Sequence, residues 1–375
     1  MDSTDLFDLR ISDFFEAAKR GTGGVARPMR LVEAALFQRR QAKRRKEAAR
    51  RGMTVPPILI ASLTRRCNLQ CEGCYSRALR PPQPAGSEGS PESSIGTELS
   101  DERFMELFNE AIDMGVGTML LAGGEPLIRR KLVEEASKLK GILLPLFTNG
   151  TLIDKAFMET VAQGSIVPIF SIEGEEKETD GRRGEGIHAG ASRWMEAMKK
   201  RGMMFGASVT LTSKNSRTVL DPAFLEKLGA TGIAVLFIIE YVPVSPGTDD
   251  LVVGAEERAT LGDIEGLAGL PFPVVALPGD EEAYGGCLAA GRGFVHLSPE
   301  GRIEACPFAP FSDRDVATGS LEQALKSPML AAIRERHGEL TETKGGCALW
   351  NRGGWIASLS GCPPAKESGS GKGNA

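Results

Sequence analysis

From Pro57 onward, short apolar runs alternate with stretches of helical spacing, and this alternation restricts the possible folds more than any other feature of the chain. ILIASLT (58–64), GTMLLAG (117–123), ILLPLFT (142–148), SIVPIFSI (165–172), MMFGASVTLT (203–212) and GIAVLFIIE (232–240) have strand length and near-continuous apolar character, as strands covered on both faces do. Amphipathic segments near 131–140, 154–163, 189–201 and 221–229 separate them, and PFPVVAL (271–277) reads as a seventh strand. Ser100 is placed to cap a further helix, with Phe104, Leu107, Phe108, Ala111 and Ile112 on one face. The pattern predicts an α/β protein, a partial (β/α)6 barrel whose chemistry sits in loops at the carboxyl ends of the strands.

The flanks differ. Residues 1–54 read as a helical extension ending in RRQAKRRKEAARR (39–51), which is either a solvated helix face or a patch for an anionic lipid surface, nucleic acid or acidic peptide. Charge reversal at Arg44, Arg45 and Lys46 is the sequence-level way to separate these. The barrel is expected over 55–280, a small appended domain over 281–364 and a flexible tail over 365–375. Within the small domain FVHLSPEGRIEAC (294–306) reads as a hairpin and 320–336 as a helix, while LRPPQPAGSEGSPESSIGT (79–97) is too polar and broken to pack.

At 41% hydrophobic and 25% charged residues, with a net charge of −4, the composition is that of an ordinary globular protein without a general affinity for nucleic acid. The N-terminus lacks the pattern of a secretory signal and the most apolar run, IAVLFIIEYVPV, is interrupted by Glu240, so the expectation is a cytoplasmic chain with no transmembrane segment. In such a chain seven cysteines, an odd number, point to metal ligation or catalysis rather than disulfides. Three of them, Cys67, Cys71 and Cys74, crowd into RRCNLQCEGCYSR directly after the first predicted strand. Three thiolates in one loop can hold three irons of a cubane and leave the fourth open to another ligand. A zinc site would need a fourth ligand, and His188, His296 and His337 all lie far along the chain.

CNLQCEGC in this position resembles the cluster loop of the radical S-adenosylmethionine (SAM) enzymes, and further motifs of that family follow in order: GGEP at Gly123–Pro126, TNG at 148–150, and Ser171 followed by Asp180-x-x-Arg183-Gly184. The resemblance implies a [4Fe-4S] cluster on Cys67, Cys71 and Cys74. In the family its open iron binds SAM, whose reductive cleavage gives a 5′-deoxyadenosyl radical that takes a hydrogen atom from substrate. It also implies cofactor contacts from Tyr75, Gly123, Gly124, Glu125, Pro126, Asn149, Ser171, Arg183 and Thr210. Glu125 would meet the SAM amine, and the two glycines would let a ligand approach the backbone. Ser171 and Arg183, with Arg182 able to replace the latter, would hold the SAM carboxylate. The family more often has Asp where Glu173 stands. Cys287 and Cys306, spaced C-x13-G-x4-C around Gly301, resemble the start of the auxiliary-cluster modules called SPASM and twitch domains, so Cys347 and Cys362 would complete four ligands for one auxiliary [4Fe-4S] cluster. That allocation leaves no spare thiol for methyl transfer, and the residues before the barrel are too few for a cobalamin domain.

The implied activity is hydrogen abstraction leading to oxidation or crosslinking of a peptide or dehydrogenation of a small molecule, with a flavodoxin or ferredoxin as reductant. One alternative is a lipid-modifying or C–C bond-forming enzyme that meets the membrane surface through the basic helix. Another is a non-catalytic iron–sulfur redox protein, which would have no use for GGEP. Glu240 and Tyr241 either line the substrate side of the barrel or pack in its wall.

Overall fold

A computed structural model describes residues 26–79, 97–265, 270–277, 285–341 and 347–361. The first 25 residues, most of the Pro/Gly/Ser-rich segment, Cys362 and the tail lie outside the described residues. Nine strands form one sheet: β1 (Ile58–Ser62), β2 (Thr118–Ala122), β3 (Leu144–Thr148), β4 (Ile166–Ile172), β5 (Gly206–Leu211), β6 (Leu236–Glu240), β7 (Val274–Leu277), β8 (Phe294–Leu297) and β9 (Ile303–Glu304). Their order is β7-β6-β5-β4-β3-β2-β1-β8-β9. Neighbours from β7 to β1 pair in parallel, with Ile58 opposite Thr118 and Leu144 opposite Ile166. This is the curled half-barrel that the alternation of apolar runs predicts, each strand lying inside its expected run.

The two faces of β1 and β2 show why this register is stable. Leu59, Ala61, Met119 and Leu121 point outward and are fully buried with Phe104, Leu107, Phe108 and Ala111 of the helix Asp101–Met114, while Ile60 and Leu120 point inward to a cavity; a one-residue slip would exchange the two sets. Ser100 caps that helix, its hydroxyl accepting from the Arg103 N–H at 3.1 Å, and Gly115 ends it at φ +119°, a conformation that favours glycine.

The FVHLSPEGRIEAC hairpin forms as β8 and β9. Strand β8 lies parallel against β1, with Ile58 opposite Phe294 and Ala61 opposite Leu297, so the sheet continues from the barrel into this segment. The helix expected at 320–336 is two helices, Leu321–Leu325 and Pro328–Glu335. Pro328 cannot donate to the preceding turn, and Ser327 begins a new helix by accepting from the Leu330 N–H at 3.0 Å.

The basic helix Ala26–Arg50 closes the barrel at the amino ends of the strands. Leu31 and Ala34 pack on Val167, Met204, Ala234 and Val235. Gln38 Nε2 donates to the Gly117 carbonyl at 2.8 Å, Gln41 Nε2 to that of Val116 at 2.8 Å, and Arg45 to that of Gly115 at 2.5 Å. Arg45 is therefore a buried tie to the barrel. Reversing its charge would break the fold before testing any surface, and Arg44, which donates to the Ile112 carbonyl at 2.8 Å, is half-committed in the same way. Among the described residues no helix is long and apolar enough to cross a membrane.

Candidate functional site

The loops after β1 to β6 and the C-terminal segments meet around one cavity of about 240 Å³ at the carboxyl rim. Cys67, Cys71 and Cys74 line it from the loop after β1, and Cys287, Cys306 and Cys347 line it from the other side. Of the other residues singled out from sequence, Tyr75, Gly123, Gly124, Glu125, Asn149, Ser171, Arg183 and Thr210 all reach it. Pro126 does not: it is buried as the first residue of the 3-10 turn Pro126–Arg129, where its fixed φ suits helix entry. Among the described residues no three Cys, His, Asp or Glu side chains converge as the ligands of one ion do.

The GGEP glycines, which line the cavity, also admit a close approach of backbone on their other side. What approaches is the start of the cysteine loop. The Gly124 N–H donates to the Thr64 carbonyl at 2.7 Å and the Glu125 N–H to that of Arg66 at 2.9 Å, and a Cβ on Gly124 would stand 2.1 Å from the Arg66 carbonyl oxygen. The glycines thus fix Cys67 relative to Glu125. The Glu125 carboxylate is buried and accepts from the Thr148 hydroxyl at 2.9 Å, the Asn149 N–H at 2.9 Å and the Leu127 N–H at 3.1 Å. Burial pushes its pKa up against the pull of these donors and of Arg183. Asn149 reaches back to the cysteine loop, its Nδ2 donating to Asn68 Oδ1 at 3.0 Å.

Glu173, which sequence reasoning set aside, is the anchor of the third wall. Its carboxylate is 1% exposed and accepts from Arg182, from Arg183 Nε at 2.7 Å and from the Thr210 N–H at 3.1 Å. Arg182 and Arg183 do not compete for one role: both bind Glu173 from the end of the helix Glu176–Arg183. Arg182 also donates through Nε to the Glu72 carbonyl at 3.1 Å, in the cysteine loop. Burial alone would lower the Arg183 guanidinium, yet Glu173 and the nearby Cys71 and Cys74 thiols outweigh it and leave its pKa raised. Ser171 and Ser208 face the cavity with their hydroxyls 3.3 Å apart.

Two further contacts carry no motif and could not be read from one sequence. The Tyr241 ring lies over Gly73, where a Cβ would come within 2.6 Å of the ring, and its hydroxyl donates to Thr248 Oγ1 at 2.8 Å. Gly73 has φ +63°, so the cysteine loop needs glycine here for both backbone and space. Gly73→Ala should cost about 1–3 kcal/mol in a denaturation curve and speed proteolysis of the 67–74 loop. Beside Tyr241, Glu240 is 2% exposed and bound by Arg258 Nε at 2.9 Å. Burial pushes its pKa up and Arg258 opposes this.

The second cysteine set is more enclosed. Cys287, Cys306 and Cys347 are buried, and Arg292 donates to the Cys287 carbonyl at 2.7 Å. The two sets meet at Tyr75, next to Cys74, whose ring packs 5.3 Å from that of Phe308, two residues after Cys306. Burial, with Cys74 and Cys306 close by, raises the Tyr75 phenol and keeps it protonated.

The donor set fits an iron–sulfur cluster with a cationic ligand. Burial pushes the Cys67 thiol up, the Leu69 N–H pulls it down, and the charges of Glu125, Cys71 and Cys74 push it up again; iron and an ammonium or sulfonium group would relieve that crowding.

A parallel half-barrel with three closely spaced thiols, a buried carboxylate and an anchored arginine pair at its carboxyl rim is the architecture of an enzyme built around a metallocofactor. Comparison with known proteins agrees. The profile of the radical SAM superfamily matches residues 61–213. Fe-coproporphyrin III synthase of Methanosarcina barkeri is 29% identical over 176 residues, 46% of this chain and 41% of that protein, so this chain spans under half of that relative. PqqA peptide cyclase of Granulibacter bethesdensis is 27% identical over 271 residues, 67% of this chain and 68% of its own length. Streptococcus suis SuiB, solved bound to S-adenosylmethionine, superposes with a TM-score of 0.57 at 16% identity, over 79% of this chain and 72% of SuiB, which shows the shared fold. Residues 61–213 therefore resemble the radical SAM superfamily, a match that implies a [4Fe-4S] cluster and SAM.

Proposed function

We propose that this chain is a radical SAM enzyme that modifies a peptide side chain by hydrogen abstraction, and that it carries two clusters. The observation that carries the reading is that both cysteine sets line a single cavity. Cys67, Cys71 and Cys74 would hold the SAM-binding cluster, with Glu125 for the SAM amine and Arg183 with Ser171 for its carboxylate. Cys287, Cys306 and Cys347 would hold the auxiliary cluster, with Cys362 as the fourth ligand, and a small electron carrier such as flavodoxin or ferredoxin would supply electrons. When bound, the cluster and SAM supply one-electron cleavage and with it the power to abstract hydrogen. The chain's own residues supply the rest: Tyr241, Arg182 and Asn149 hold the loop in place, and Ile239, Phe294, Phe308 and Leu349 exclude water.

Two observations support a peptide over a haem-type substrate. One matched relative is a peptide cyclase, and SuiB, which shares the fold, has also been solved bound to the precursor peptide SuiA. A polycarboxylate would also need cations beyond those that serve SAM, whereas the arginines lining the cavity are Arg182 and Arg183, both bound to Glu173 and the second already assigned to the SAM carboxylate. An auxiliary cluster beside the substrate suits removal of an electron from it, hence net oxidation or crosslinking. Anaerobic reconstitution of the whole chain should give about eight irons, falling to about four when Cys67, Cys71 and Cys74 are all changed to Ala. Reductant and SAM should yield 5′-deoxyadenosine with the first protein and none with the second. About four irons in the unaltered chain would remove the second cluster from this reading.

A further inference from the structure

We propose that the outer face of the helix Ala26–Arg50 docks the enzyme on an anionic lipid surface, a role separate from the chemistry of the cavity. Charge is segregated in this chain. The helix carries nine of the 45 Lys and Arg residues and two of the 49 Asp and Glu residues, so the remainder is acidic, with 36 cations against 47 acids. The inner face of the helix is consumed by the barrel through Leu31, Ala34, Gln38, Gln41 and Arg45. The outer face is an unbroken stripe at helical spacing, Val32, Leu36, Arg39, Arg40 and Lys43.

Two independent features coincide on that stripe. Val32, 44% exposed, and Leu36, 54% exposed, are the large hydrophobic side chains exposed to this degree among the described residues. They lie one turn apart, beside Arg39, Arg40 and Lys43, none of which pairs with a carboxylate among the described residues. Cations next to apolar side chains match a headgroup layer, where charge draws the helix down and the aliphatic groups enter the acyl boundary. A nucleic acid would use the cations and gain nothing from Val32 and Leu36. The helix is tied to the amino ends of the strands, so docking turns the thiol-lined rim away from the lipid and leaves it open to a water-borne substrate. The surface is thus an anchor, and lipid is not what the cavity modifies.

The test is co-sedimentation of the full-length reconstituted protein with vesicles of phosphatidylcholine alone or with about 30 mole per cent phosphatidylserine. Binding to the anionic vesicles should be about tenfold stronger and weaken with salt. R39E/K43E should lose about tenfold of that affinity, and V32S/L36S should lose affinity while keeping the salt dependence. Neither pair enters the barrel, so melting temperature and iron content should match the unaltered chain; failure of iron loading in the unaltered chain would count against the two-cluster reading and leave the vesicle result standing. Equal binding to both vesicles, or anionic binding untouched by either variant, would overturn the proposal. So would tighter binding to duplex DNA or heparin that V32S/L36S leaves unchanged, because the face would then be a general polyanion site.

Discussion

Glu173→Ala should destabilise the apo-protein by about 3–5 kcal/mol, the cost of leaving buried charge without its partner. Two guanidiniums depend on this one carboxylate, and their side chains are 13% and 12% exposed, so neither can turn to water without leaving its helix end. The Thr210 N–H would lose its acceptor at the same time. The damage should spread to the cysteine loop, because Arg182 would no longer be aimed at the Glu72 carbonyl. Glu173→Gln keeps an acceptor of the same shape without the charge and should fall between the two. Urea denaturation of the apo-protein measures the ordering, and a drop of less than about 1 kcal/mol for the alanine variant would mean the arginines are held by something else.

Gly124→Ala should leave the protein folded yet unable to keep a cluster on the loop after β1. The added methyl would collide with backbone, the Arg66 carbonyl carbon at 2.6 Å and its oxygen nearer still, and backbone has no alternative rotamer. Overpacking of this kind costs about 1–3 kcal/mol. The larger effect is positional: Cys67 follows Arg66 directly, so pushing the 64–66 segment away breaks the bonds to Thr64 and Arg66 and carries the first thiol off. Iron content after reconstitution should fall by about half, as for loss of one of two clusters. Gly181→Ala is the control. It sits in the helix Glu176–Arg183 with nothing within 4 Å of its Cβ position and should gain about 0.5–1 kcal/mol. Equal behaviour of the two variants would refute the argument.

Much of the barrel was legible because its signal is local. An apolar run of strand length bounded by polar helix starts has one stable use, and the strands fell inside the runs from ILIASLT to PFPVVAL. The three thiols of CNLQCEGC were legible for the same reason, since they share one short loop. The break at Ser327-Pro328 was also written locally and could have been seen. What escaped was whatever depends on an approach between distant segments. Arg45 looks like one more cation in a basic run, yet it spans to Gly115; Gly73 looks like a turn glycine, yet its missing side chain is the seat of Tyr241.

The order of residues alone therefore determined that this chain alternates strand and helix, places three soft ligands at the end of the first strand, and follows them with a carboxylate and an arginine pair, because hydrophobic periodicity and thiol chemistry act over a few residues. Only the tertiary structure decided that Glu173 neutralises both arginines, that the GGEP glycines receive backbone, and that the two sets of thiols face one cavity. Those outcomes depend on which loops the curvature of a twisted parallel sheet brings together at its rim, and no stretch of sequence specifies that curvature by itself.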